Sequence, residues 1–319
     1  MSTLPQRVIN YSATLGSALA AAMTALSLSA CALTQVASGP QRIALDARPN
    51  GIAVSPRDGR IFITDDKTNS LLSSTDGKKF EPFAAIPVVA GQANALSQVA
   101  VSDTGALLVE RFGFGTAGAV IKIDADKSVS ILSGLDPARR RLGLAVVSPG
   151  KLLSTWFVKN GNAPATGGVS LITYDQSTHA ATEHTVLSGL AKPVGVVVKG
   201  DAVFISDQGN NMILKTNLAG LINHTQAGSP EGGLSTTVIK INGPDLLTID
   251  ATGTLYTKCN ATAVCKIDPG NAVAEIAKNF EDARGLAINE SNESKRLLLV
   301  IDRAKSASGV SSLRTIPLN

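Results

Sequence analysis

The chain has 319 residues, 44% of them hydrophobic and 17% charged, with 29 glycines and a net charge of +4. A charge this small and dispersed argues against a nucleic-acid binder, and the one dense basic run, Arg139-Arg140-Arg141, is expected to be a solvated loop. Helical periodicity is hard to find after residue 40. Length alone would allow two domains, so the internal pattern must decide the organisation.

Residues 1–30 read as an export signal that lies outside the fold. Arg7 supplies a thin positive end, and a run dominated by Ala, Leu, Ser and Met extends from Ala13 to Leu28. The run is rich in Ser and Ala and short for a bilayer span, which argues against a retained anchor helix. Leu28-Ser29-Ala30-Cys31 resembles the bacterial lipoprotein box, which implies that Cys31 becomes the lipidated first residue; an ordinary signal peptide with a chance cysteine is the alternative. Several acyl chains hold a protein on a membrane where one does not. Residues 31–40 are then the lipidated cysteine and a short tether. The expected location is the cell envelope, on the outer-membrane or periplasmic side if the cell is Gram-negative.

From residue 41 to 319 the chain repeats itself. Arg48-Pro49-Asn50-Gly51-Ile52-Ala53-Val54-Ser55 leads through a polar turn to Ile61-Phe62-Ile63-Thr64-Asp65. The residue opening the first strand recurs as Gly51, Gln98, Gly143, Gly195, Leu246 and Gly285. Two further apolar runs usually follow, as in Ala119–Ile123 and Ser128–Leu132, separated by Gly, Asp, Asn and Ser turns. Four short strands in roughly 40–50 residues are the pattern of a propeller blade. The last copy lacks a fourth strand, and Gln41–Asp46 at the front resembles one. The expected fold is therefore all-β: a six-bladed propeller of four-stranded antiparallel blades, in which the N-terminal strand completes the last blade. An open solenoid or sandwich would leave unpaired sheet edges, which ring closure removes.

Two sets of residues should reach one face of such a ring. One set precedes each innermost strand: Asn50, Ser97, Leu142, Val194, Asp245 and Arg284. The other ends each second strand: Asp65, Arg111, Trp156, Asp207, Cys259 and Asp302. Asp65, Asp207 and Asp302 recur at one place and read as caps of loop amides within their own blades. Arg111 and Trp156 depart from that rule. Aromatic residues make up only 4% of the chain, yet Phe112 and Phe114 fall in the second-blade loop, and Trp156 and Phe157 in the third. With Glu110, Arg111 and Arg284 they form the candidate ligand site, and Arg111 favours an anionic or carbonyl-bearing ligand. A mini-core that only stabilises the loops is the alternative.

Pro49–Ser55 with Ile63-Thr64-Asp65, and Pro193-Val194-Gly195-Val196 with Ile205–Asn211, resemble NHL-repeat propellers and the SMP-30/gluconolactonase superfamily. The resemblance spans most of residues 41–319. It implies one divalent cation at the channel mouth, calcium above all, held by oxygen ligands and able to polarise a lactone or ester carbonyl. Asn50 and Asp245 fall on ligand positions. Leu142 and Val194 cannot bind a metal, and Arg284 would set a positive charge beside it. Three readings stay open: a ligand- or protein-binding module whose partner is a small molecule or an envelope protein, a metal-dependent lactonase or esterase, and a structural envelope lipoprotein. A monomer is expected.

Other signals carry less. Gly113–Gly118 satisfies G-x-G-x-x-G, but a strand rather than a phosphate-facing helix follows it. His179, His184 and His224 fall in outer-strand or insertion segments, away from any triad geometry. Leu218–Leu234 is a longer insertion, either a lid or a surface loop. Cys259 and Cys265 flank a hairpin turn and are expected to form a disulfide that closes the fifth-blade loop, rather than to remain free thiols.

Overall fold

The computed structural model describes residues 41–159, 161–223, 235–290 and 296–318. Cys31, the export signal and the tether lie outside these residues, as does His224. Six four-stranded antiparallel sheets form the blades. Blade one runs through Pro49–Val54, Ile61–Asp65, Ser70–Ser74 and Glu81–Ala85. Blades two to five repeat the scheme from inner strands Leu96–Val101, Arg140–Ser148, Pro193–Lys199 and Leu247–Ile249. Blade six takes Ala283–Asn289, Arg296–Asp302 and Ser311–Leu318 from the C-terminal end, and Gln41–Leu45 from the other. Ile43 pairs with Leu313 in antiparallel register, so the ring closes as its incomplete last repeat predicts.

Strand alternation explains how the blades adhere. In Ile61–Asp65 successive side chains point to opposite faces. Ile61 and Ile63 pack towards blade six with Leu299 and Leu313, while Phe62 packs towards blade two with Val99 and Leu107. The same split recurs around the ring and gives six apolar clusters, one per blade interface. Every blade is covered on both faces, so its strands read as continuous apolar runs. Fully buried Ile or Leu side chains of this kind each contribute about 1.5–3 kcal/mol.

The glycine of the repeat has a steric cause. A Cβ at Gly51 would lie 2.2 Å from the Ser97 carbonyl oxygen of the next blade, and one at Gly143 would lie 2.2 Å from that of Val194. Inner strands converge here, and only hydrogen fits between them. The hydroxyl near the end of the second strand completes the junction. Thr64 Oγ1 accepts the Gly51 amide at 2.7 Å and donates to the Ser97 carbonyl at 3.2 Å. Thr155 repeats the pair with Gly143 and Val194, and Ser206 with Gly195 and Asp245. In blade two this position is Glu110.

Cys259 and Cys265 form the disulfide of blade five. A helix of six residues, Leu218–Asn223, begins the insertion of blade four. Gly113–Gly118 is a loop leading into the strand Ala119–Ile123, and no helix follows it. Among the described residues no helix is long and apolar enough to cross a membrane.

Candidate functional site at the channel mouth

The repeat's aspartates act before any ligand does. Asp65, Asp207 and Asp302 are buried. Asp65 Oδ1 accepts the Arg48 amide at 2.7 Å, Asp207 Oδ1 that of Lys192 at 2.8 Å, and Asp302 Oδ1 that of Asp282 at 3.2 Å. Each carboxylate thus fixes the loop residue two positions before the inner-strand ring. Arg48, Lys192 and Asp282 all line one cavity as a result.

That cavity occupies one mouth of the central channel and has a volume of 670 Å³. Its lining includes the cations Arg48, Lys192, Arg284, Arg303 and Lys305 against the acids Asp66 and Asp282. Facing them are Phe112, Phe114 and Phe157 from blades two and three. Phe112 meets Phe114 and Phe157 edge to face, at 5.0 and 5.7 Å between centroids. Arg140 lies within 5.6–5.8 Å of all three rings, a cation–π arrangement.

Of the residues expected from sequence, Asn50, Arg284, Phe112, Phe114 and Phe157 line the mouth. Arg111, Trp156, Glu110 and Asp245 do not belong to its lining. Glu110 and Asp245 are buried beneath the surface, and for Arg111 and Trp156 strand alternation is the reason. The side chains of Arg111 and Trp156 turn away from the mouth, and the next residue of each, Phe112 and Phe157, faces it. Arg111 donates to the Ala117 and Pro87 carbonyls at 2.7 and 3.1 Å. Trp156 is buried, its indole N–H donates to Ser170 Oγ at 2.7 Å, and the Arg139 guanidinium stacks 4.0 Å from its ring. Sequence reasoning missed Arg48, Lys192, Arg303, Lys305, Asp66 and Asp282. Most of them were marked by position: Asp66 and Arg303 each follow a strand-ending aspartate, while Arg48, Lys192 and Asp282 sit two before the ring.

Arg284 organises the polar side. Its Nη2 lies 2.6 Å from Asp282 Oδ2 and its Nη1 3.4 Å from Asp245 Oδ2. Burial alone would lower its pKa, but Asp245 and Asp282 hold it above the usual arginine value. Lys258 Nζ donates to the other Asp282 oxygen at 2.6 Å. Lys192 Nζ donates to the neutral Gln208 Oε1 at 2.6 Å. Burial lowers the Lys192 pKa, and Arg284 and Lys258 add to that while Asp245 opposes it. On the rim, Arg303 pairs with Asp66 at 2.9 Å.

These donors do not fit a divalent cation. Calcium takes six to eight oxygens. The ring offers one carboxylate, Asp245, whose Oδ1 accepts the Leu246 amide and whose Oδ2 faces Arg284 and Gln208. Asn50 donates its amide N–H to the Leu96 carbonyl at 2.9 Å and Ser97 its hydroxyl proton to that of Leu142, so one amide oxygen and one hydroxyl oxygen are all they could add to Asp245, short of a calcium shell. Among the described residues no three of His, Cys, Asp and Glu group as a metal cage.

Below the aromatic wall, the arginine triplet departs from its expected role as a solvated loop. Arg141 is fully buried at the start of an inner strand and pairs with Glu183 from the outer strand of its own blade at 2.7 Å; the partly exposed Arg139 pairs with the same carboxylate at 2.7 Å. Glu183 explains the burial, because it gives the guanidinium a carboxylate inside the blade. Burial would raise the Glu183 pKa, but Arg141, the Asp136 amide and Arg139 bring it down to about 2. Glu110 is also fully buried, and accepts from Ser154 Oγ at 2.5 Å. Burial raises its pKa well above the usual glutamate value, against Ser154 and Arg141.

Fold and mouth together define a six-bladed propeller with a cationic, aromatic-walled opening. No protein-family model and no curated protein matches the sequence. Solved structures do match in shape. A luciferin-regenerating enzyme aligns with TM-score 0.62 and 13% identity over 88% of this chain and 96% of its own. A gluconolactonase from Xanthomonas campestris gives 0.62 and 13% over 85% and 86%. Regucalcin from Agrobacterium tumefaciens, described as a calcium-binding protein, gives 0.59 and 16% over 84% and 90%. At these identities the likeness establishes the shared six-bladed propeller fold.

Proposed function

We propose that this propeller is an exported, lipid-anchored protein that binds an anionic small molecule at its channel mouth. The mouth cavity carries the reading, with five cationic side chains against two acidic ones and a phenylalanine wall opposite. Such a site suits a ligand with an acidic group at one end and an apolar body at the other. Purified full-length protein titrated with a library of small organic acids and their amides tests this. Binding confined to the acids, and weakened in Arg284→Gln and Phe114→Ala, supports it. Equal binding of acids and amides refutes it. The anchor rests on Leu28-Ser29-Ala30-Cys31. Cys31→Ser should release soluble protein or block processing, and unchanged fractionation would remove the claim.

The second reading is a lactone or ester hydrolase, and the solved structures favour it: proteins sharing this fold include a gluconolactonase and a luciferin-regenerating enzyme. Hydrolysis of a lactone panel by the full chain, abolished in Arg284→Gln, would promote this reading over simple binding. A lactone ring opens to a carboxylate, so both readings place an anion in the same cationic mouth.

A further inference from the structure

We propose that Arg284 takes the place of a bound divalent cation, so that this mouth holds a carboxylate or phosphate group by a fixed guanidinium and works without metal. The inference rests on the reading of the mouth as a ligand site. It adds the chemistry of recognition.

The geometry around Arg284 carries it. A metal centre needs convergent carboxylates, and here Asp245 and Asp282 converge on a side chain of this same protein. Asp245 is almost wholly buried, with its side chain 3% exposed, so its charge requires a partner, and Arg284 is the cation paired with it. The guanidinium side chain remains 35% exposed and belongs to the cavity lining, so it can still meet a ligand. An added calcium ion would have to displace it and sit among Lys192, Lys258 and Arg284, a repulsive neighbourhood.

Charge counting points to the ligand. Arg284 and Arg303 are paired with Asp282 and Asp66. Arg48, Lys192 and Lys305 make no ion pair among the described residues, although they line the same cavity. Arginine matches carboxylate and phosphate oxygens with a planar fork, and the unpaired lysines add charge without geometry. The apolar remainder of the ligand lies against Phe112, Phe114 and Phe157. Carboxylate and phosphate share this chemistry, and the test separates them.

The full chain is titrated calorimetrically with 3-phenylpropionate, phenyl phosphate and the neutral 3-phenylpropanamide, each in EDTA and in excess calcium. The expected result is binding of at least one anion, equal in EDTA and calcium, and none of the amide. The tighter anion names the group. Arg284→Gln should weaken that binding about tenfold or more. This variant leaves Asp282 with Lys258, and Asp245 with Leu246 and Gln208. Lys192→Met, at a cavity-lining side chain that makes no ion pair among the described residues, gives a second variant that leaves every buried ion pair intact and should weaken binding several-fold. Anion binding that appears only with calcium overturns the proposal and leaves the mouth as a ligand site. Stoichiometric calcium binding by the unmodified protein, lost in Asp245→Ala, overturns it too. If no probe binds under any condition, both the proposal and the ligand-site reading fall.

Discussion

At one repeat position near the mouth-side end of the second strand, blades one, four and six carry aspartate, whereas blades two and three carry Arg111 and Trp156. The two groups do different work at the same face. In the first, a buried carboxylate captures the amides of the preceding loop and so presents Arg48, Lys192 and Asp282 to the mouth. In the second, arginine and tryptophan turn away from the mouth, and the residues that follow them carry the phenylalanine wall. A repeat that is structural in three blades thus becomes a polar arm, and its interruption becomes an apolar one. The proposed ligand site is the contrast between them.

Removing the buried network beneath the apolar arm should have the largest effect on stability. Arg141→Met leaves Glu183 inside blade three with only the partly exposed Arg139 as its ion-pair partner. Breaking a buried pair this way should cost about 4 kcal/mol in urea unfolding. Next comes the polar arm. Asp207→Ala strips acceptors from the Ala191 and Lys192 amides and from Asn210. The expected cost is about 3 kcal/mol, and ligand affinity should fall with it because Lys192 loses its anchor. A variant that loses stability but keeps full affinity would break the link between cap and mouth.

A pH series sharpens the contrast within blades two and three. The Glu183 pKa is lowered from 4.5 to about 2 on folding. Between those values the unfolded chain binds more protons, so this group's stabilisation is complete above 4.5 and lost as pH falls through 2. Glu110 has the opposite sign. Its folded pKa lies well above 4.5, with burial as the main cause. Stability should therefore fall as pH rises from 4.5 towards the folded value, because the buried carboxyl resists ionising. Glu110→Gln should abolish the alkaline-side decline and leave the acid-side one. A stability profile unchanged by the substitution would mean that Glu110 ionises without cost.

The ring was legible because each blade states its own geometry. Glycine marks the point where inner strands touch, a hydroxyl marks the junction to the next blade, and aspartate marks the cap. Gly51, Thr64 and Asp65 say this in one repeat, and Gly195, Ser206 and Asp207 say it again. The mouth was only half legible. Phe112, Phe114 and Phe157 stood out because aromatic residues are scarce. Arg111 and Trp156 were misleading, because the strand-end position faces inwards and a period of two decides which neighbour sees the channel. The cations escaped for a different reason. They come from loops before and after the strands in three separate blades, and no local pattern shows that such residues converge. Nor could Arg141 declare itself buried, since its partner Glu183 lies some forty residues further along the chain.

The smallest effect on folding should come from Phe114, and that makes it the cleanest probe of the apolar arm. Its ring is 44% exposed, an unusual state for a large apolar side chain, and it contacts Phe112 at 5.0 Å. Phe114→Ala removes one aromatic pair and little buried area, so it should cost about 1 kcal/mol or less. A ligand seated on the wall would bury that same ring, and its loss should weaken binding several-fold. Phe114→Leu should recover part of the affinity if the wall acts by burying apolar surface, and little of it if the ring faces matter. Arg140 helps to separate the two, since its guanidinium lies 5.8 Å from the Phe114 centroid and presents charge at the same edge. Arg140→Gln should lower affinity for anions without changing the ranking of apolar bodies. Should Phe114→Ala leave both stability and affinity untouched, the wall would be a packing feature of the second and third loops, and the polar arm alone would define the site.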